Sequence, residues 1–196
     1  MKKLVFCQIL ILVLSSSCIS NGPFYVGTQY GASVPYGEMR HAGLDFDIGT
    51  GTPVITATEG KVSVIYVPCP DEWYCGGVFV ELNHDGQFKT LYGHLQNVYV
   101  ERGQVLKRGQ LIGLSGSNNR GYPHLHFVTC KIKGLCYYSN SYDPDHFWMD
   151  GKPQCFDPNK DYTKYQLKEI TLPIACGEYA KRLDNETQFL KETPVD

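Results

Sequence analysis

A mainly β fold built on an antiparallel core sheet is what this sequence predicts, and three observations predict it. Val62, Val64 and Tyr66 alternate with Ser63 and Ile65, and Val78, Val80 and Leu82 alternate with Phe79 and Glu81, the period of two that a strand imposes. Between the second run and Phe88–Tyr92 stands Asn83-His84-Asp85-Gly86, whose Asp-Gly step is a strong hairpin signal. Helical periodicity shows only weakly, around Tyr179–Leu190.

Taken in chain order, residues 1–17 read as a leader. Lys2 and Lys3 precede an apolar run from Leu4 to Leu14, and Ser15, Ser16 and Ser17 follow. That charged, apolar and small-residue order is that of a secretory signal peptide. The run is too short for a permanent span, which needs about 20 residues. Cleavage after Ser17 would leave 179 of the 196 residues, enough for one domain with its own core. Residues 18–33 read as a linker, 34–150 as the domain and 151–196 as a C-terminal extension.

From about Gly49 to Lys133 the pattern is one of strands and tight turns. Gly103-Gln104 and Gly109-Gln110 break short apolar stretches between Val98 and Ile112, and Leu125–Ile132 is a further strand. No internal repeat or low-complexity linker divides the chain. The 18 lysines and arginines fall to 16 once Lys2 and Lys3 leave, against 20 aspartates and glutamates, a formal charge of −4. Nucleic acid is therefore excluded as the expected partner, since binding it requires a cluster of cations against phosphates.

Of the eight cysteines, Cys7 leaves with the leader and six lie in the body, which in an exported chain points to disulfides. Short separation favours Cys69–Cys75 and Cys130–Cys136, leaving Cys155–Cys176 by elimination. A thiolate zinc site is disfavoured, because five residues separate each short pair, outside the usual two to four. Cys18 remains, next to the cleavage point. Its setting resembles a bacterial lipobox, although Leu14 lies one place too far upstream and Ile19 is bulky. Lipid anchoring to the outer membrane through Cys18 and a soluble periplasmic form both stay open.

Three of the six histidines fall in two short motifs, His41-Ala42-Gly43-Leu44-Asp45 and His124-Leu125-His126. Side chains at i and i+2 of a strand share a face, so His124 and His126 can address one point. A histidine, a carboxylate and a second histidine make a plausible three-ligand zinc site with one position left for water.

With the intervening segments, these motifs resemble the lysostaphin-type (LytM-like) zinc endopeptidases of peptidoglycan, over about Val34–Tyr142. The resemblance is carried by Arg40–Phe46, Gly51–Val54, Glu59–Val62, Leu91-Tyr92-Gly93-His94-Leu95, Val105–Gly113 and Pro123–Phe127, with Asp143-Pro144 and Phe147-Trp148 at the closing end. It implies the antiparallel sheet of that fold, with long disulfide-tied loops. It also implies one Zn²⁺ per chain on His41, Asp45 and His126, with His94 and His124 acting on the reacting water without ligating the metal. The implied activity is hydrolysis of peptide bonds in peptidoglycan, in a cross-link or stem peptide, by a metal-activated water; the leader, the disulfides and the setting of Cys18 point to the periplasm or cell envelope. A monomer is expected.

His84, in the hairpin turn, and His146 match no position of the resemblance and carry no expected role. Tyr122, Tyr92 and Trp73 could wall a groove, but ordinary packing is the default for aromatics in this tyrosine-rich chain. Asn118-Asn119-Arg120-Gly121 stands where the resembled family has a small Ser/Thr/Gly stretch, which leaves substrate preference open. A LytM-like regulator that activates an amidase would be expected to lack one or more of the five polar positions, and all five are present. A lipoyl-type carrier does not explain the histidines. A D-Ala-D-Ala carboxypeptidase would need a glutamate beside the last histidine, which is absent.

Overall fold

The computed structural model describes residues 25–34, 40–68 and 75–192. The expected leader, Cys18, Cys69 and Trp73 lie outside the described residues. Among the described residues ten strands make one sheet: β1 Tyr25–Thr28, β2 Leu44–Asp47, β3 Pro53–Ile55, β4 Gly60–Tyr66, β5 Val78–His84, β6 Phe88–Val98, β7 Val105–Leu106, β8 Leu111–Ser117, β9 Pro123–Cys130 and β10 Ser141–Tyr142. A helix, α1 Gly177–Glu192, follows. The fold is mainly β, as the alternation predicts, and its strand pairs are antiparallel.

The strand order is β1-β2-β9-β8-β6-β5-β4-β7, with β3 on β8, β10 on β9, and β6 also paired to β9. Asp85 and Gly86 both take positive φ (51° and 70°), so the Asp-Gly step forms the mirror-image turn whose twist suits a hairpin. His84 is the first residue of that turn, its carbonyl accepting from Gln87 N at 3.0 Å. It ends β5, fully buried, with its ring stacked on Phe88 at 4.5 Å and its nitrogens on Glu59 O (2.6 Å) and Thr90 Oγ1 (2.8 Å).

β6 lies deepest, buried without a break from Phe88 to Leu95. Its first half pairs with β9 as far as Gly93↔His126, and its second half pairs with β8 from Leu95↔Ser115. The change of partner falls at His94, whose φ is 62°. On the β5 side, Val78 faces Leu95 and Val80 faces Tyr92, so Gly93 and His94 together oppose Phe79 as a bulge.

The segment after Trp148 belongs to the core. Ile170, Leu172 and Ile174 are fully buried, and burial of such side chains contributes roughly 2 kcal/mol each. Ile55 N donates to Pro173 O (3.0 Å) and Thr171 N to Ala57 O (2.9 Å), so this segment covers the edge that β3 would otherwise expose. Cys155–Cys176 closes it at a Cα separation of 5.9 Å, and α1 then packs Leu183 with Ala175 against Ile55. The helix is regular over 16 residues, longer than its weak periodicity suggests, because that small cluster needs only one narrow apolar stripe. Cys130–Cys136 bridges the β9–β10 connection, and Cys75 is disulfide-bonded. Among the described residues no helix is long and apolar enough to cross a membrane.

Candidate metal centre

β2 and β9 lie side by side in a register that puts Asp45 directly opposite His126. Their contact demands a bare backbone at Gly43, where a Cβ would come 2.0 Å from the Phe127 carbonyl oxygen. His41 stands on the loop entering β2, held by paired backbone bonds, Gly31 N to His41 O and His41 N to Ala32 O. Leu44 and Phe46 point into the core, so Asp45 and Asp47 emerge on the opposite face.

His41, Asp45 and His126 converge there, and among the described residues they are the one group placed to hold a metal. His41 Nε2 is 3.0 Å from Asp45 Oδ1 and 3.1 Å from His126 Nδ1, and His126 Nδ1 is 2.8 Å from Asp45 Oδ1. His41 Nδ1–H donates to Gln29 O at 3.1 Å, which leaves Nε2 with a lone pair facing the other two donors. Three converging lone pairs repel unless a cation lies between them. Tetrahedral zinc with bonds of about 2.0–2.1 Å sets its donors roughly 3.3 Å apart, so this triangle suits a small N/O-ligated cation after slight expansion.

The remaining two histidines form a second layer. His94 Nδ1–H donates to Gly76 O at 2.9 Å, and His124 Nδ1–H donates to Tyr122 O at 3.0 Å. Each is thereby held in the tautomer whose Nε2 is bare. His124 Nε2 lies 3.8 Å from Asp45 Oδ1, and the His94 and His124 rings are 4.4 Å apart. The structure thus brings all five expected residues together, three in close contact and two beside them.

Burial opposes ionisation of Asp45, but His126 and His41 outweigh it and hold the carboxyl well below the usual range. Burial pushes His94 down to about 3, helped by His124 and His126. His126 is also lowered by burial, against the pull of Asp45. Neutral imidazoles and an ionised carboxylate are the forms that ligate metal.

Tyr92 is core: wholly buried, its hydroxyl accepts from Ala57 N at 2.9 Å. Tyr122 is 55% exposed with its ring 5.6 Å from that of His124, so it does wall the site. His146 lies in a short 3₁₀ turn and is not one of the converging residues. Asp47, which drew no attention in the sequence, accepts from Tyr122 Oη at 3.4 Å. The Leu44/Phe46 alternation was the available signal, since it puts Asp47 on the face of Asp45. The carbonyls of Gln29, Gly76 and Tyr122 leave no trace in sequence, because any residue offers one.

A family model described as peptidase family M23 matches residues 39–141, a span that contains all five residues. The peptidoglycan DD-endopeptidase ShyB of Vibrio cholerae is 41% identical over 90 residues, 45% of this chain and 20% of its own length. Lysostaphin of Staphylococcus simulans is 37% identical over 110 residues, 54% of this chain and 20% of its own length. The chain thus spans about a fifth of the length of these relatives. Among solved structures, the catalytic domain of lysostaphin from Staphylococcus simulans superposes with a TM-score of 0.55 at 32% identity, covering 63% of this chain and 91% of that one. With more than half of its sequence inside the family model and the fold shared, the chain belongs to peptidase family M23.

Proposed function

We propose that this protein is a zinc-dependent endopeptidase that hydrolyses peptide bonds in bacterial peptidoglycan. The observation that carries the reading is the convergence of His41, Asp45 and His126 beside two imidazoles whose Nε2 atoms are bare. His41, Asp45 and His126 hold one Zn²⁺. When bound, the metal acidifies a water towards neutral pH and polarises the scissile carbonyl.

His94 and His124 handle the protons. Each keeps its Nδ1–H on a backbone carbonyl, so Nε2 is the atom that takes a proton from the water or returns one to the leaving amine. A protonated Nε2 also donates to the oxyanion of the tetrahedral species, which lowers the barrier further. Asp45 stays ionised throughout, its Oδ1 3.8 Å from His124 Nε2.

The peptidoglycan substrate rests on the relatives, one a peptidoglycan DD-endopeptidase by name. It agrees with export to the periplasm or cell envelope, with or without lipid on Cys18. Digestion of purified peptidoglycan with the zinc-loaded chain, followed by mass spectrometry, tests the reading. New amine-terminated fragments that vanish on chelation are expected; undigested sacculi at full zinc loading would refute it.

A further inference from the structure

We infer that Asp47 is a specificity residue: its carboxylate receives the free ammonium of a diamino acid in the substrate peptide, adjacent to the scissile bond. The inference rests on the peptidase reading above and adds which peptides the site prefers.

Asp47 sits two residues beyond Asp45 on β2, on the same face, at half-buried depth. Two strand residues rise about 7 Å, close to the distance from a scissile amide to a charged group on the neighbouring residue of an extended peptide. The carboxylate lies directly over β1. A Cβ on Gly27 would come within 2.4 and 2.5 Å of its two oxygens, so the glycine there makes room for it.

Tyr122 shapes the space in front. Tyr122 Oη donates to Asp47 Oδ1 at 3.4 Å, and the exposed Tyr122 ring stands between Asp47 and His124. Among the described residues no lysine, arginine or histidine forms an ion pair with Asp47, whereas Asp45 has three histidines within 4 Å. A half-buried carboxylate with no cation in ion-pair contact, and only the more distant charge interaction with His124, gains more from an incoming ammonium than a solvated one does. The ring of Tyr122 adds a favourable face for the same cation.

The test uses the zinc-loaded full chain and two probes. One is a peptidoglycan stem peptide whose diamino acid carries a free side-chain ammonium; the other is the same peptide acetylated on that nitrogen. Calorimetry should give the free-amine peptide at least about tenfold tighter binding to the parent, the usual scale of one charge-assisted hydrogen bond. Asp47→Asn, which keeps shape and the acceptor for Tyr122, should bring the two peptides within about twofold while leaving the acetylated peptide and zinc content unchanged. A parent that binds both peptides equally, or an Asp47→Asn variant that keeps the preference, overturns the inference. So does a zinc content that falls on Asp47→Asn, which would make Asp47 a metal ligand instead. Binding and cleavage separate the two readings. If the ammonium preference depends on Asp47 but no bond is cut, the specificity inference stands and the peptidase reading falls. Cleavage of both peptides with a ratio indifferent to Asp47 gives the converse.

Discussion

Asp45 and His126 face each other across the β2–β9 pair, with Oδ1 2.8 Å from Nδ1, although 81 residues of chain separate them. Two strands hydrogen-bonded in fixed register keep this contact, so a substitution at either position changes the ligand set without moving the other residue. Asp45→Asn and His126→Ala should therefore retain the sheet and lose zinc and peptidase activity together, because two remaining ligands hold the ion too weakly. Metal analysis beside peptidoglycan cleavage checks this; an Asp45→Asn variant that keeps both stoichiometric zinc and full turnover would contradict the assignment.

His94 should behave differently, for a reason that lies in its backbone. It occupies the left-handed region at the point where β6 changes partners, a conformation that costs a non-glycine residue about 1 kcal/mol. His94→Ala and His124→Ala should keep zinc and slow turnover by a factor on the order of 10² to 10⁴. His94→Gly should be as slow as His94→Ala yet about 1 kcal/mol more stable in urea, since glycine relieves the strain. If all of these variants cleave as fast as the parent, the proton-handling role is wrong.

How much of this site was legible in sequence depends on the range over which each residue acts. His124 and His126 could be placed on one face because strand alternation is local. Asp45 and His41 could be joined to them through the family resemblance, since the β2–β9 register is a long-range fact that no local pattern encodes. The bulge at His94 was illegible: Leu91-Tyr92-Gly93-His94-Leu95 looks like an ordinary buried run, and its positive φ arises from competition between β8 and β9 for one strand. The same limit applies to the tail. Ile170, Leu172 and Ile174 alternate in sequence, but only long-range contacts such as the bridges Trp148↔Ile170 and Val54↔Ile174 show that they complete the core.

Gly43 gives a sharper test of the sheet as a scaffold for the metal. Its backbone lies against β9 so closely that a methyl group would overlap the Phe127 carbonyl. Gly43→Ala should push β2 away from β9, costing several kcal/mol, as overpacking against rigid backbone does. Because His41 and Asp45 flank it, zinc affinity should fall with stability although no ligand has been touched. Denaturant titration and competition with a chelator on the same samples would reveal whether the two losses run together; unchanged zinc affinity in a destabilised variant would separate scaffold from site.

His84 supplies the pH dependence of the fold itself. Burial drives its pKa down to about 4 from 6.5, assisted by Arg108 and partly offset by the hydrogen bond to the Glu59 carbonyl. In the folded chain the imidazole is neutral at pH values where the unfolded chain already holds a proton on it, so the unfolded state binds more protons and stability rises with pH. The contribution is fully present above about pH 6.5 and is lost as the pH falls towards about 4, for a total of about 3 kcal/mol. His84→Gln removes the titrating group, at some cost at neutral pH because Thr90 and Glu59 lose well-placed partners. Its stability should then fall less than that of the parent between about pH 6.5 and 4.5, by roughly 2 to 3 kcal/mol. Zinc loss and carboxylate protonation are common to both proteins and drop out of the comparison. Urea unfolding of the metal-free forms across that range measures the difference directly, and parallel pH profiles would show that His84 does not carry the acid sensitivity.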